Sequence, residues 1–215
     1  MSGKWHIGAK VNRKNGAPFD YDRILSSSNH DWTIALGQGP QDIGFDASLI
    51  SLCGIQATPY TFFRDGYLQT KMTDVAYWEV GSYNQPRGES IIRRAGEGDI
   101  NWDSSAYNQI VVEDTLDFIN NHVKTNPDQP FFSYVALGAV HGPHSPPNEY
   151  LDQTPIKGTY PTPHMDMHLE LDLAVGTLID TIDSLGLASN TLIIFTSDNG
   201  GKMMLSIVHS LPVIR

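Results

Sequence analysis

The chain has 215 residues, 40% hydrophobic and 10% aromatic, which predicts a globular domain with a sizeable core rather than a disordered chain. Its 24 acidic and 14 basic residues give a formal net charge of -10, which argues against a nucleic-acid partner because such partners require a basic patch. No apolar run is long enough to span a membrane, and a single cysteine excludes an intrachain disulfide.

The first motif lies at the start of the chain, where residues 3–8 read Gly-Lys-Trp-His-Ile-Gly. If these residues end a β-strand, Lys4 and His6 are two positions apart and point to the same side. They then present an ammonium group and an imidazole to one anionic group. Considered alone, both residues would be assigned to a frayed chain end, so their functional interpretation depends on the later motifs.

The next part of the chain predicts short strands and long loops. Residues 31–36 predict a short strand, and the aromatic-rich residues 58–70 predict a hairpin that turns at Asp65-Gly66. The Gly-rich residues 73–103 predict a long excursion that faces the substrate. Its arginines are more simply explained as charges on a solvated loop, since exposure is the default for charged side chains. These arginines are Arg87, Arg93 and Arg94.

Two amphipathic helices and two apolar runs follow. The first helix begins with Ser105 as its N-cap and runs to about residue 123. Residues 131–137 predict a strand, and the second helix covers residues 164–185, with Gly186 as a natural C′ residue. Residues 191–194 predict a buried strand. This alternation implies a parallel sheet with helices on both faces.

A second motif, His-Gly-Pro-His-Ser-Pro-Pro, occupies residues 141–147 after the 131–137 run. The prolines restrict the backbone and help to fix where His141 and His144 point. The two imidazoles could instead cap their own loop, but two histidines in such a loop are more typical of a site. His164 and His168 are a possible ligand pair, yet surface histidines are the preferred interpretation because no third ligand is apparent.

The third motif is Phe-Thr-Ser-Asp-Asn-Gly-Gly at residues 195–201, directly after the last predicted strand. Ligands of open α/β sheets bind at the carboxyl ends of the strands, where Asp198 and Asn199 would offer a carboxylate and an amide oxygen. Two adjacent hard oxygen donors suit Ca²⁺ or Mg²⁺ better than zinc. Alone, Asp-Asn-Gly is also typical of a simple turn.

Together, the three motifs resemble the sulfatase family, of the alkaline-phosphatase-like superfamily. The family's Gly-Lys-Trp-His-(Leu/Ile)-Gly, Pro-His-x-Pro and Thr-(Ser/Ala)-Asp-Asn-Gly blocks occur here in the family's order. The resemblance covers residues 1–201 and implies a partial sulfatase catalytic domain there, with a divergent tail over residues 202–215. It implies an α/β fold with a mostly parallel sheet and helices on both faces, truncated at both ends.

The resemblance also implies a role for individual residues of the three motifs. Lys4 would hold a sulfate oxygen, and His6 would bond the hydroxyl of a formylglycine nucleophile. His144 would contact the sulfate ester and assist the leaving oxygen, while His141 would support substrate binding. Asp198 and Asn199 would ligate a divalent cation, which is usually Ca²⁺ in this family.

The family's nucleophile is missing from the sequence. Sulfatases carry Cys/Ser-x-Pro/Ala-x-Arg, whose first residue becomes formylglycine, upstream of the Gly-Lys-Trp-His block together with paired acidic metal ligands. Cys53 is followed by Gly-Ile-Gln-Ala, without the proline or the arginine, and is interpreted as a packed or loop residue. The chain is therefore interpreted as an internal piece of a sulfatase, and the isolated chain is expected to be inactive because the chemistry needs a covalent nucleophile.

The resemblance implies hydrolysis of a sulfuric ester, either a small molecule or a sulfated glycan, and leaves the particular ester and the oligomeric state open. One alternative is a non-catalytic remnant that binds sulfated glycans or other anions. Another is a phosphate or phosphonate ester hydrolase of the same superfamily. Relatives are commonly exported or lysosomal, and the absence of a signal peptide is expected if the N-terminal part has been lost.

Overall fold

The structure is a computed structural model that describes residues 1–14, 27–81, 83–84, 90–92 and 94–200. Short strands and two long helices occur among them. The strands are β1 (Ser2–Lys4), β2 (Leu49–Ser51), β3 (Phe63–Arg64), β4 (Tyr67–Leu68), β5 (Val75–Trp78), β6 (Tyr83–Asn84), β7 (Ser90–Ile91), β8 (Gly96–Asp99) and β9 (Val135–Ala136). The helices are α1 (Tyr107–Thr125) and α2 (Pro163–Ser184).

A five-stranded sheet forms the centre of the fold, in the order β4-β3-β2-β1-β9. β1 pairs in parallel with both of its neighbours, so that Ser2 lies opposite Leu49 on one side and Val135 on the other. β3 and β4 continue the sheet beyond β2 in antiparallel pairing. The predicted α/β fold is confirmed, with a parallel centre and an antiparallel edge.

The turn between β3 and β4 lies where the sequence predicts it. Asp65 and Gly66 have φ values of 52° and 85°, as a two-residue type I′ turn requires at both central positions. The Asp65 carboxylate also accepts a hydrogen bond from the Ser48 amide at 2.7 Å, which ties the turn to the start of β2. The predicted hairpin is therefore confirmed.

Both predicted helices form, but the start of α1 differs from the prediction. Ser105 is not the N-cap of α1. Instead, the Asp103 carboxylate accepts the Ser105 amide at 2.9 Å and caps a 3₁₀ turn that leads into α1. α2 ends as predicted: Gly186 has a φ of 71°, and the amide of Leu187 donates to the carbonyl of Ile182 at 3.0 Å.

Apolar side chains cover the two faces of the sheet differently. Leu49 and Ile50 are neighbours in β2 and belong to different core clusters, because successive side chains of a strand point to opposite faces. The Leu49 face packs against α1 through Tyr107, and α2 packs against α1. In the described part of the chain, irregular segments that carry Trp5 and Trp32 cover the other face, so the two helices pack on one face and not on both as predicted.

Residues 31–36 do not form the predicted strand. The Asp31 carboxylate accepts the Thr33 amide at 3.0 Å and the Thr33 hydroxyl at 2.5 Å, which closes a local turn. Such side-chain bonds compete with strand pairing. The excursion over residues 73–103 instead contains two antiparallel pairs, β5 with β8 and β6 with β7. Arg87 and Arg93 lie outside the described residues.

The prediction of a buried strand at residues 191–194 is wrong. Leu192 and Ile194 are 84% and 76% exposed, and the segment forms no strand pairing with any described residue. The run at residues 131–137 is paired only over β9. Both segments have strand composition, but a strand is stable only where a neighbour bonds its backbone. No helix among the described residues is long and apolar enough to cross a membrane.

We expect the isolated chain to self-associate through residues 191–195. The segment is apolar, uncharged and free of proline, as is typical of strands that pair between molecules. Ile194→Lys is expected to raise the monomeric fraction measured by size-exclusion chromatography with light scattering. Ile43→Lys is the matched control, because Ile43 is an isoleucine outside this segment that is 66% exposed. A parent chain that is monomeric and melts in one sharp transition would contradict this expectation.

Candidate functional site

The first part of the site lies at the carboxyl end of β1. Lys4 is the last residue of β1, and His6 follows it with a positive φ of 46°. The Lys4 Nζ donates to Gln56 Oε1 at 3.5 Å, and His6 Nε2 lies 3.1 Å from Gln56 Nε2. The two side chains therefore lie on the same side. Gln56 joins them, although no motif in the sequence pointed to it.

Charged groups from distant parts of the chain act on these two residues. Partial burial lowers the pKa of the Lys4 ammonium group, and the Asp198 carboxylate opposes that shift. Partial burial also lowers the pKa of His6, and the positive charges of Lys4, His141 and Arg94 add to the effect. The structure thus brings these five residues into one region. Salt screens the charges of distant surface acids over about 8–10 Å.

Cys53 lies in the same region but is not an activated nucleophile. Burial raises the pKa of its thiol, although Lys4 and Arg94 act in the opposite direction. A reactive cysteine needs a lowered pKa, because the thiolate is the nucleophile. The structure therefore agrees with the interpretation of Cys53 as a packed residue.

The start of α1 positions the loop that packs against Lys4. The Ser51 hydroxyl lies 2.8 Å from the Tyr107 hydroxyl and accepts the Gly54 amide at 3.0 Å. A Cβ atom at Gly54 would lie 3.2 Å from Lys4 Cδ, so this loop packs directly against the lysine stem. Burial raises the pKa of Tyr107 far above its usual range, which keeps its hydroxyl protonated. Tyr107 therefore positions the loop through Ser51.

The next residue of α1 holds the loop that carries the site histidines. Asn108 Oδ1 accepts the amides of Gly138 at 2.8 Å and Ala139 at 3.1 Å. Glu170 of α2 is completely buried beside Asn108, whose side chain bonds the carboxyl group too weakly to offset burial. Burial raises the pKa of Glu170 to about 8, and Asn108 opposes the shift. The sequence indicates Glu170 only as a glutamate that falls within the apolar stripe of the second helix.

The two loop histidines have different surroundings. His141 is exposed, and its Nδ1 lies 2.6 Å from the carbonyl oxygen of Gly142, which matches the loop-capping alternative. The ring of His144 lies 4.7 Å from the ring of His164, and that ring lies 4.7 Å from the ring of His168. The His144 ring is therefore a neighbour of the His164 ring, but the three histidines are not arranged as a three-ligand metal site among the described residues.

Asp198 and Asn199 follow the exposed residues 192–195 and are themselves exposed. The side-chain nitrogen of Asn199, Nδ2, donates to the carbonyl oxygen of Gly200 at 3.1 Å. Among the described residues, no group of three or more His, Cys, Asp or Glu side chains could hold a metal ion. Ca²⁺ takes about six to eight oxygen ligands. The two donors fit such an ion in kind but not in number.

Comparisons with known proteins agree with the motifs. The family model described as Sulfatase matches residues 54–210. The N-acetylgalactosamine-6-O-sulfatase of Bacteroides thetaiotaomicron is 28% identical over 225 aligned residues, which cover 92% of this chain and 39% of that protein. Human arylsulfatase A is 42% identical over 77 residues, which cover 36% of this chain and 14% of that protein.

A solved structure shows the same fold. It comes from work on the metabolism of multiple glycosaminoglycans by Bacteroides thetaiotaomicron, and it matches with a TM-score of 0.63 at 21% identity. The match covers 88% of this chain and 40% of that chain. Both of these Bacteroides proteins align to most of the present chain. The chain therefore spans about two fifths of the length of each of them.

Proposed function

The chain belongs to the sulfatase family, and we propose that it carries the part of a sulfuric-ester hydrolase site that holds the sulfate and the leaving oxygen. The observation that supports this most strongly is that the Asp198 charge acts on both Lys4 and His6, and that the His141 charge acts on His6. Residues nearly two hundred positions apart meet there, at the carboxyl end of β1. An anion would meet several cationic groups in this region despite the net charge of -10.

Each motif residue has a proposed task. Lys4, steadied by Gln56, donates to a sulfate oxygen and stabilises the charge that builds up in the transition state. His6 holds the attacking hydroxyl. His144, in its protonated form, gives a proton to the leaving oxygen, and His141 helps to hold the substrate.

Two components of the family's chemistry are not supplied by Lys4, His6, His141 and His144. Members of the family generally use a divalent cation and a formylglycine residue. The formylglycine supplies the attacking hydroxyl, and no Cys/Ser-x-Pro/Ala-x-Arg sequence occurs in this chain. We propose Ca²⁺ for Asp198 and Asn199, with further ligands from outside the described residues. The isolated chain is therefore expected not to turn over sulfate esters.

The relatives suggest a substrate class for the whole protein. The bacterial relative and a mouse relative, which is 32% identical over 115 residues, are both named for 6-sulfated N-acetylgalactosamine. We therefore propose a sulfated glycan as the substrate. The second candidate function is a non-catalytic anion-binding protein, which the missing nucleophile motif favours. A phosphate or phosphonate ester is the third possibility, because the same cationic groups suit any tetrahedral anion.

Sulfate binding tests the proposed site without requiring turnover. We expect inorganic sulfate to shift the imidazole NMR signals of His6 and His144 in the full chain. Lys4→Met is expected to weaken this binding about tenfold, the loss typical of one charge-assisted hydrogen bond. Lys124→Met, at an exposed lysine near the end of α1, is the matched control and should leave binding unchanged.

Three outcomes of this experiment would change the proposal. Equal binding by Lys4→Met and Lys124→Met would remove the anion site at β1. Phosphate that binds as well as sulfate would favour the phosphate or phosphonate hydrolase. Hydrolysis of an aryl sulfate by the isolated chain, abolished by His144→Gln, would show that the chain is catalytically complete.

A further inference from the structure

The start of α2 offers imidazole nitrogens at a helical spacing. His164 and His168 are four residues apart, so they lie on one face of the helix. Their ring centroids are 4.7 Å apart, and the ring planes meet at 75°. The two rings are therefore turned toward each other rather than splayed into solvent. His164 is half-buried and His168 is exposed, which leaves the pair open to an ion from solution.

We propose that His164 and His168 form a chelate for a borderline divalent cation such as Zn²⁺ or Ni²⁺. Two histidines at positions i and i+4 of one helix face can bind the same ion. Imidazole suits zinc, nickel and copper, whereas calcium and magnesium prefer oxygen ligands. No third His, Cys, Asp or Glu of the described residues is arranged to complete the shell, so water supplies the remaining ligands.

The acidic residue between the two histidines does not compete for this ion. The Asp166 carboxylate accepts the amide of Gly158 through one oxygen and the amide of Tyr160 through the other, both at 2.8 Å. Asp166 is only 2% exposed. These bonds tie the preceding loop to the first turns of α2. They fix the backbone that carries His164 and His168, and such preorganisation favours chelation.

The chelate lies beside the histidine loop. The ring of His144 is 4.7 Å from the ring of His164, so an ion on His164 sits next to His144. The chelate is chemically distinct from Asp198 and Asn199, since it takes nitrogen ligands. Its existence does not depend on the proposed ester hydrolysis, and either proposal can fail without the other.

Nickel titration of the full chain in excess calcium tests the proposal, because calcium occupies oxygen sites and leaves the imidazoles free. Calorimetry is expected to show binding that His168→Gln weakens at least about tenfold. Paramagnetic Ni²⁺ is expected to broaden the imidazole NMR signals of His144, His164 and His168 first. His122→Gln is the matched control, because His122 lies on α1 with its Nε2 2.8 Å from the Gln129 carbonyl oxygen.

The outcomes separate a real chelate from general surface binding. Selective broadening in the parent chain, with weaker binding in His168→Gln and unchanged binding in His122→Gln, supports the proposal. Equal affinities in the two variants, or broadening that includes His122 to the same degree, overturns it. Loss of nickel binding in excess calcium assigns the ion to oxygen ligands and also overturns it. His168 is exposed, so His168→Gln should melt at the same temperature as the parent.

Discussion

Glu170→Gln is expected to stabilise the folded chain at pH 7 by on the order of 3 kcal/mol, because it removes a carboxyl whose charged form is disfavoured by burial. Burial raises the pKa of Glu170 from 4.5 to about 8. The folded state therefore holds this proton more tightly than the unfolded state. The free energy of unfolding of the parent should fall as the pH rises from about 4.5 toward 8. That of Glu170→Gln should not show this fall, because glutamine does not titrate.

Urea unfolding at a series of pH values measures this difference directly. The gain from Glu170→Gln is expected to vanish near pH 4.5 and to grow by about 1.4 kcal/mol per pH unit above it. Glu113→Gln, at an exposed glutamate of α1, is the control and should stay within about 0.5 kcal/mol of the parent at every pH. A glutamine variant that is less stable than the parent at pH 7 would show that Glu170 is ionised and paired.

The helices could be predicted closely because their signals are local. The apolar stripe of α2 and the glycine that ends it lie within the helix or next to it. The predicted residues 164–185 differ by one residue at each end from the observed helix. The hairpin at Asp65-Gly66 was equally local, since both positions need a positive φ. The start of α1 differed: Asp103 caps the 3₁₀ turn that leads into α1, and the predicted N-cap Ser105 lies within that turn.

The strands could be predicted less well because pairing depends on distant residues. Residues 31–36 and 191–194 have the composition of strands, yet neither is paired in the described part of the chain. A side-chain turn at Asp31 replaces the first. The second has no paired strand among the described residues, and β9, at the end of the sheet, is only two residues long. Composition indicates what a strand can bury, but not whether a neighbour is there to bond it.

The site could be predicted only as far as its motif residues. Lys4, His6 and Asp198 were recognised from their blocks, and the structure brings them together. Gln56 and Asn108 could not be recognised in this way. They act through hydrogen bonds to residues about 30 to 50 positions away, and polar residues in such roles have no spacing pattern. Their identification needed the fold.

Gly3→Ala is expected to lower the free energy of unfolding by about 4 kcal/mol or more, and to leave little folded chain. Gly3 lies in β1 with a φ of 114°, which only glycine adopts readily. A Cβ atom there would lie 2.0 Å from the carbonyl oxygen of Ala136 in β9. Because the clashing carbonyl oxygen belongs to the paired backbone of β9 and a Cβ atom is fixed to the backbone of β1, β9 would have to separate from β1, and Lys4 would lose its support.

Gly158→Ala separates the two causes of this loss. Gly158 has a φ of 80°, but a Cβ atom there would meet nothing within 4 Å. It should therefore cost only the backbone strain, about 1 kcal/mol, by thermal or urea unfolding. The difference between the two variants then measures how tightly β1 and β9 are packed. If both glycines tolerate alanine equally well, β1 and β9 are not paired in the register that places Lys4 at the site.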